Sequence, residues 1–313
     1  MMRKFNTMKI GEDVSFYALV ESLQQRFTPN KSAYYSVGLS DGDTIVDARI
    51  WDVSLVEKND LNRGEIYHFD AHINEYANKA QYVVKQIRKI EDGEIDKNLF
   101  YRSAPITEDS LRKEIKRYIT RIENNILKEM VIGLISKVSE SYFTFPAAMS
   151  MHHNYACGLA YHTYTMLRLA DTFIEIYPGM NKDLLYAGTL IHDIGKTKEL
   201  SGIHGTVYTD EGNLLGHIVI GLQMIAEVAI SLGVEDTEEV RLLSHLVASH
   251  HGELEFGSPK EPGTLEAFAL HFMDIADAKM TPISAEIIKT EKGKSTGPIG
   301  SINRKTIYKP NIE

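Results

Sequence analysis

Five apolar helical stripes in the second half of this chain each carry a side chain at odds with apolar packing: His162, His192 with Asp193, His217, His250 with His251, and Asp274. Residues three or four apart share a helix face. His162 therefore lines up with Leu159, Met166, Leu169 and Phe173. Leu184, Leu185, Ala187, Leu190 and Ile191 lead straight into His192-Asp193. His217 follows the line of Ile220, Met224 and Val228, and His250 extends Leu242, Leu243, Leu246 and Val247. Asp274 lies between Leu270 and Ala278. One buried imidazole is ordinary core chemistry. Several, accompanied by two carboxylates, are not, because an unpaired buried carboxylate is costly. A fold that buries these stripes has to bring the groups together. Imidazoles and carboxylates in one place make a site for a hard-to-borderline divalent cation, with Mn2+, Fe2+, Mg2+ and Zn2+ all open.

Length and composition narrow the class. A chain of 313 residues, 43% of them hydrophobic, can build two domains or one large one and is not disordered in composition. No apolar run reaches the ~20 residues of a membrane span, and no apolar segment follows Met1-Met2-Arg3-Lys4, so neither signal peptide nor membrane partner is expected. Cys157 is the only cysteine, which fits a reduced cytoplasmic setting; it reads as a small packed residue rather than a nucleophile. The net charge of −9 argues against coating nucleic acid by bulk charge. Residues 289–313 differ, with six Lys or Arg against two Glu and several Gly and Pro. This stretch reads as a basic, extended arm that either touches phosphates or is simply solvated.

Local signals divide the chain further. Val14–Val20, Tyr34–Leu39 and Thr44–Trp51 are β-rich, and Ser40-Asp41-Gly42-Asp43 between the last two is a hairpin signal. Two more strands fit Glu65–Ile73 and Gln81–Ile90. Five short strands in such a span predict a small closed barrel, the OB-fold first among them. A polar break follows Ile90, and Thr107 is placed to cap the first helix. Further expectations are a helix start near Asn181, a helix stop at Gly195, and Asn213 capping the helix of His217. The expected organisation is a barrel over 1–92, a helical linker over 93–140, an all-α bundle over 141–288 and the arm over 289–313. His68, His72, His245 and His271 read as packing or surface residues. His204 stays open, and His152-His153 are placed to line the cleft.

The order His … His-Asp … Asp, with the doublet inside His192-Asp193-Ile194-Gly195-Lys196, resembles the HD-domain phosphohydrolase superfamily. The added His217 and His250-His251 resemble its two-metal members. The whole chain resembles something narrower, the YhaM-type 3′–5′ exoribonucleases, which join an OB-fold module to an HD domain. Phe145-Pro146-Ala147-Ala148, Leu214-Leu215-Gly216-His217 and His250 to Pro259 carry that likeness. Ala156-Cys157-Gly158 departs from it where a Gly-Gly pair is the pattern.

The resemblance implies that His162, His192, Asp193 and Asp274 hold one ion. Asp193 would bridge to a second held by His217 and His250, with His251 as a further ligand or a supporting partner. It points to Mn2+, and it alone supplies the direction of degradation. Paired ions about 3.5–4 Å apart suit in-line displacement at phosphorus. Asp193 and Lys196 are the catalytic candidates; Lys196 either neutralises developing charge or is a solvated lysine. The resemblance gives the barrel a single strand to hold, of RNA or also of DNA. Phe16, Tyr34, Tyr35, Trp51, Arg49 and His153 are the candidate contacts, with Lys31 and Lys85 nearby in sequence. Alternation puts Tyr34 and Tyr35 on opposite faces, so only one of them can stack. Twelve basic and fourteen acidic residues in 1–92 give this step no electrostatic support.

Two other classes remain open. One is a cyclic-nucleotide or nucleotide phosphohydrolase with a regulatory barrel, against which Phe256-Gly257-Ser258-Pro259 stands where enzymes opening cyclic dinucleotides carry Gly-Tyr-Pro. The other is a DNA- or RNA-binding factor. A homo-oligomer is compatible with the sequence, although no heptad or repeat signals one.

Overall fold

The structure is a computed structural model and describes residues 3–76, 79–101, 104–148, 155–203 and 206–312. It has two compact units, one over Met1–Arg102 and the other over Ser103–Ile203 with Val207–Glu313.

The first unit is the expected five-stranded barrel. Strands β1 (Asp13–Phe27), β2 (Ala33–Ser40), β3 (Ile45–Ile50), β4 (Ile66–Tyr76) and β5 (Lys79–Lys89) close in the order β1-β2-β3-β5-β4, with the short helix α1 (Ser54–Lys58) between β3 and β4. Alternation decides what fills it. Val14, Phe16 and Ala18 of β1 point inward to meet Val37, Ala48, Ile50, Phe69, Ile73 and Tyr82. Closure needs a bend, and the register of β1 against β2 shifts between Val20 and Ser22. Ser22 Oγ there accepts the amide of Gly38 at 3.1 Å, and a Cβ at Gly38 would stand 2.7 Å from that oxygen. The hairpin turn forms as anticipated. Asp41 Oδ1 accepts the amides of Asp43 and Thr44 at 3.0 and 2.8 Å, while Gly42 takes a φ of +91°.

The second unit is helical: α2 (Glu108–Arg121), α3 (Asn125–Lys137), α4 (Ser139–Thr144), α5 (Gly158–Ile176), α6 (Lys182–Ile191), α7 (Lys196–Glu199), α8 (Asp210–Leu232), α9 (Glu238–Ser249) and α10 (Leu265–Lys289). Thr107 and Asn181 cap α2 and α6 as expected, their side-chain oxygens accepting first-turn amides. One apolar core runs from Leu111, Ile115 and Met130 through Leu159, Leu185 and Met224 to Leu246 and Leu270. The helices expected to form a linker are therefore part of this core.

Three other expectations are corrected. Thr209, not Asn213, caps α8, because its oxygen accepts the Gly212 amide and Asn213 already lies in the first turn. Gly195 does not stop a helix in the left-handed region; its φ is −60°, and it is small because His217 O occupies the place a Cβ would take. Residues 289–313 are not an extended arm. Bridges Ser295–Tyr308 and Ile299–Lys305 fold the segment back on itself around a 3-10 turn at Gly300–Ile302.

Among the described helices, α8 alone is long and apolar enough to cross a membrane, with a mean hydropathy of 1.8 over its best window. It packs against α3, α7 and α9 and carries His217.

Candidate metal centre

Each candidate ligand sits where its own element ends, bends or faces the core. His162 lies on the buried side of α5. His192 and His250 are the C-terminal caps of α6 and α9, so Asp193 and His251 follow directly. A helix C-terminus favours positive charge, which a bound cation would bring there. His217 follows Gly216, whose φ of 71° and ψ of 159° interrupt α8. Asp274 lies inside α10.

Packing brings these groups within bonding range of shared points. One group comprises His162, His192 and Asp193, and the other His217, His250 and His251; within each, ligand atoms all lie within 4.8 Å of one another. Asp193 faces both. Its Oδ2 stands 3.4 Å from His192 Nε2 and 3.7 Å from His162 Nε2. Its Oδ1 stands 3.6 Å from His217 Nε2 and 3.8 Å from His250 Nε2. Asp274 Oδ1 joins the first group, 3.3 Å from His162 Nε2.

The outer nitrogens settle which way the rings present themselves. Nδ1 of His192 donates to Thr189 O at 2.9 Å, and Nδ1 of His250 donates to Val247 O at 2.7 Å. Nδ1 of His162 donates to Asp277 Oδ2 at 2.7 Å, and Nδ1 of His217 to Glu199 Oε1 at 3.1 Å. With protons held outward, Nε2 lone pairs point at the centre. His217 Nε2, His250 Nε2 and Asp193 Oδ1 are buried with no hydrogen-bond partner. Orphaned buried acceptors aimed at one another are destabilising unless a cation joins them. The donor set therefore fits divalent metal ions.

Charge is arranged to the same end. Burial disfavours ionised Asp193, yet the Lys196 ammonium and the His192 ring hold its carboxyl well below the usual range. Burial likewise opposes Asp274, and His162 reverses the effect. Burial would lower His162, but Asp274 and Asp277 outweigh it and hold that ring up at about 10. His162 thus attracts a cation, with proton and metal in competition. Burial and the neighbouring His251 and His192 rings keep His250 well below its ordinary value, hence neutral. Lys196 Nζ lies 2.7 Å from Asp193 Oδ2 and is half-buried, so it is no solvated helix-end lysine. Its charge survives burial because Asp193 opposes the loss.

Two carboxylates were not singled out from the sequence. Asp277 follows Asp274 by one turn of α10, and Glu199 ends α7 just beyond the His-Asp doublet. Helical spacing could have raised the first; nothing local marks the second. His271 is also closer to the site than its stripe implied, its Nδ1 donating to the carbonyl of His250 at 2.9 Å. His245 keeps a packing role, accepting the Gly263 amide at 2.8 Å.

The barrel candidates separate. Phe16 is withdrawn: it is 2% exposed and packs on Phe5, Phe69 and Tyr82, so no base can reach it. Tyr35 sits against the same core. Tyr34 and Trp51 pair outward with ring centroids 4.8 Å apart, and the Arg49 guanidinium lies 6.0 Å from the Tyr34 ring. Trp51 is 49% exposed. A groove of about 440 Å³ runs past Arg49, lined also by Ile45, Tyr76, Lys79 and Tyr82. Lys85 is engaged by Asp13 at 2.6 Å, and Lys31 is exposed. His152, His153 and His204 lie outside the described residues.

Comparison with known proteins adds the following. Residues 159–279 match the model of the HD domain. A protein of Listeria innocua named 3′-5′ exoribonuclease YhaM is 35% identical over 317 aligned positions, covering 100% of both chains. The protein of the same name from Listeria monocytogenes is 35% identical over 315 positions with the same coverage. Among solved structures, the second OB-fold domain of replication protein A from Methanococcus maripaludis is similar to 30% of this chain and 98% of its own, at 14% identity and a TM-score of 0.24.

Proposed function

This chain belongs to the YhaM family of 3′-5′ exoribonucleases, and from that premise we propose that it shortens single-stranded RNA from the 3′ end by hydrolysing phosphodiester bonds at its His/Asp centre. The observation that carries the reading is Asp193, whose two carboxylate oxygens face separate groups of imidazole nitrogens.

Two ions fit the arrangement. His162, His192, Asp193 and Asp274 would hold one, and Asp193, His217, His250 and His251 the other, with Mn2+ as the family-favoured metal. Divalent ions so placed supply Lewis acidity and a water acidic enough to act as nucleophile near neutral pH.

The chain's own residues do the rest. Burial of His162, His192 and His250 keeps bulk water from the centre and strengthens every charge interaction there. Lys196, held against Asp193, places a fixed positive charge beside the point where a phosphoryl group gains negative charge. On the barrel, Tyr34 and Trp51 offer a stacking platform flanked by Arg49, with the groove beside it tracking the strand. Stacking tolerates any base and either sugar, so single-stranded DNA is a second ligand. A cytoplasmic setting suits the lone Cys157 thiol.

The test uses 5′-labelled RNA with Mn2+ and the purified full chain. The expected product is a ladder of progressively shorter labelled fragments, lost in Asp193→Ala. Immediate release of labelled mononucleotide would reverse the direction. Full activity in a metal-loaded Asp193→Ala protein would end the assignment, and preferential opening of a cyclic dinucleotide would replace it.

A further inference from the structure

Each half of the centre has one imidazole backed by a backbone carbonyl and one backed by a buried carboxylate. His192 and His250 have the carbonyls of Thr189 and Val247. His162 and His217 have Asp277 and Glu199. A carboxylate behind a ligating histidine fixes its tautomer and makes the inward nitrogen more basic than a carbonyl would. The two carboxylates are 6% and 8% exposed, and they pair with His162 and His217 respectively.

Glu199 is held with unusual care. The break at Gly216 frees the His217 amide from the helical ladder. Glu199 Oε1 accepts both that amide, at 3.0 Å, and the ring Nδ1, at 3.1 Å. Its own carbonyl accepts the Thr209 amide at 2.9 Å, and Gly212 lies so near that a Cβ there would overlap this carbonyl. Main chain and ring of His217 are thus set by a single oxygen. Asp277 is braced from its other oxygen by the Thr281 hydroxyl at 3.2 Å.

We infer that Glu199 and Asp277 are the positioning residues of the centre, each setting cation affinity in its own half and leaving the other half alone. This rests on the two-ion reading above. A purely structural role for Glu199 would need only a neutral acceptor for the His217 amide, which glutamine supplies. The charge adds a pull on any cation at the ring, beside the one it exerts on the Lys196 ammonium.

Isothermal titration of the full-length protein with Mn2+ decides it, with circular dichroism of the same samples in EDTA as the folding control. Wild type should take up two ions. Glu199→Gln should bind one ion normally and the other about 10- to 100-fold more weakly, and Asp277→Asn should do the same. In a His217→Ala background, Asp277→Asn should weaken the ion that remains, whereas Glu199→Gln should add nothing, since its ring is gone. Wild-type affinity for both ions in folded Glu199→Gln overturns the inference, as does equal weakening of both ions. If Asp277→Asn does not fold, the Glu199→Gln pair of titrations still decides. Wild-type protein that takes up no divalent ion overturns the two-ion reading itself, an outcome distinct from the other two.

Discussion

Nε2 of His162 and Nε2 of His192 lie 3.2 Å apart in a buried environment. The His192 ring donates its outer proton to Thr189 O, so its inner nitrogen offers a lone pair. Two lone pairs at that distance repel unless a proton or metal lies between them. Asp274 and Asp193 add negative charge within 3.3 and 3.7 Å of the same His162 nitrogen.

A protein arranged in this way should be stabilised by its cation. Ligand that binds only the folded state adds about 2.7 kcal/mol at a hundred times its Kd. Melting in EDTA should therefore occur several degrees below melting in excess Mn2+, and re-adding Mn2+ should restore both Tm and cleavage. Identical melting curves with and without the ion would contradict the arrangement.

Gly195→Ala should damage the site from the back. The added Cβ would overlap His217 O, and a backbone carbonyl cannot swing aside as a side chain can. A stability loss of about 1–3 kcal/mol is expected in urea denaturation. Mn2+ uptake should fall with it, because α7 and the His217 segment must separate. An unchanged denaturation midpoint would show that α7 and α8 are not packed as described.

The barrel aromatics make opposite predictions. Trp51→Ala removes an exposed ring and should weaken RNA binding by about 1–3 kcal/mol, read by anisotropy in EDTA, with folding intact. Phe16→Ala removes a core ring and should cost about 3–5 kcal/mol of stability. Phe16→Ala protein that is stable yet fails to bind RNA would reverse the assignment.

Acid sensitivity should trace in part to Asp171. It accepts the hydroxyls of Tyr118 and Tyr186 at 2.8 and 2.6 Å and pairs with Arg121 at 2.9 Å. Burial disfavours its charge, but Arg121 and the two hydroxyls prevail and hold the carboxyl below its ordinary range. A depressed carboxylate stabilises the fold above the unfolded value of about 3.9, and the contribution fades as pH falls through the lower folded value. Asp171 is 38% exposed, so solvent screening limits the effect to about 1 kcal/mol. Asp171→Asn should be less stable at neutral pH, with the gap closing below about pH 4 in a urea series. A gap independent of pH would exclude the carboxylate's charge as the cause.

Much of this architecture was legible in single elements. Alternation in Val14–Val20 and the Asp41-Gly42 turn announced a barrel, because a strand's two faces differ every second residue. The helical stripes announced which imidazoles and carboxylates would be turned inward. The cap of α8 and the folding back of residues 295–308 were not legible, since both depend on contacts that compete with local preference.

What the sequence determined by itself was the faces of α5, α8 and α10 that carry His162, His217 and Asp274, and the two apolar helices that run into His192-Asp193 and His250-His251, since face membership follows from spacing within one helix. What only the tertiary structure decided was their outer partners. Glu199 is separated from His217, and Asp277 from His162, by 18 and 115 positions along the chain. Which ring nitrogen keeps its proton depends on an acceptor brought there by packing, and no periodicity within a single element encodes it.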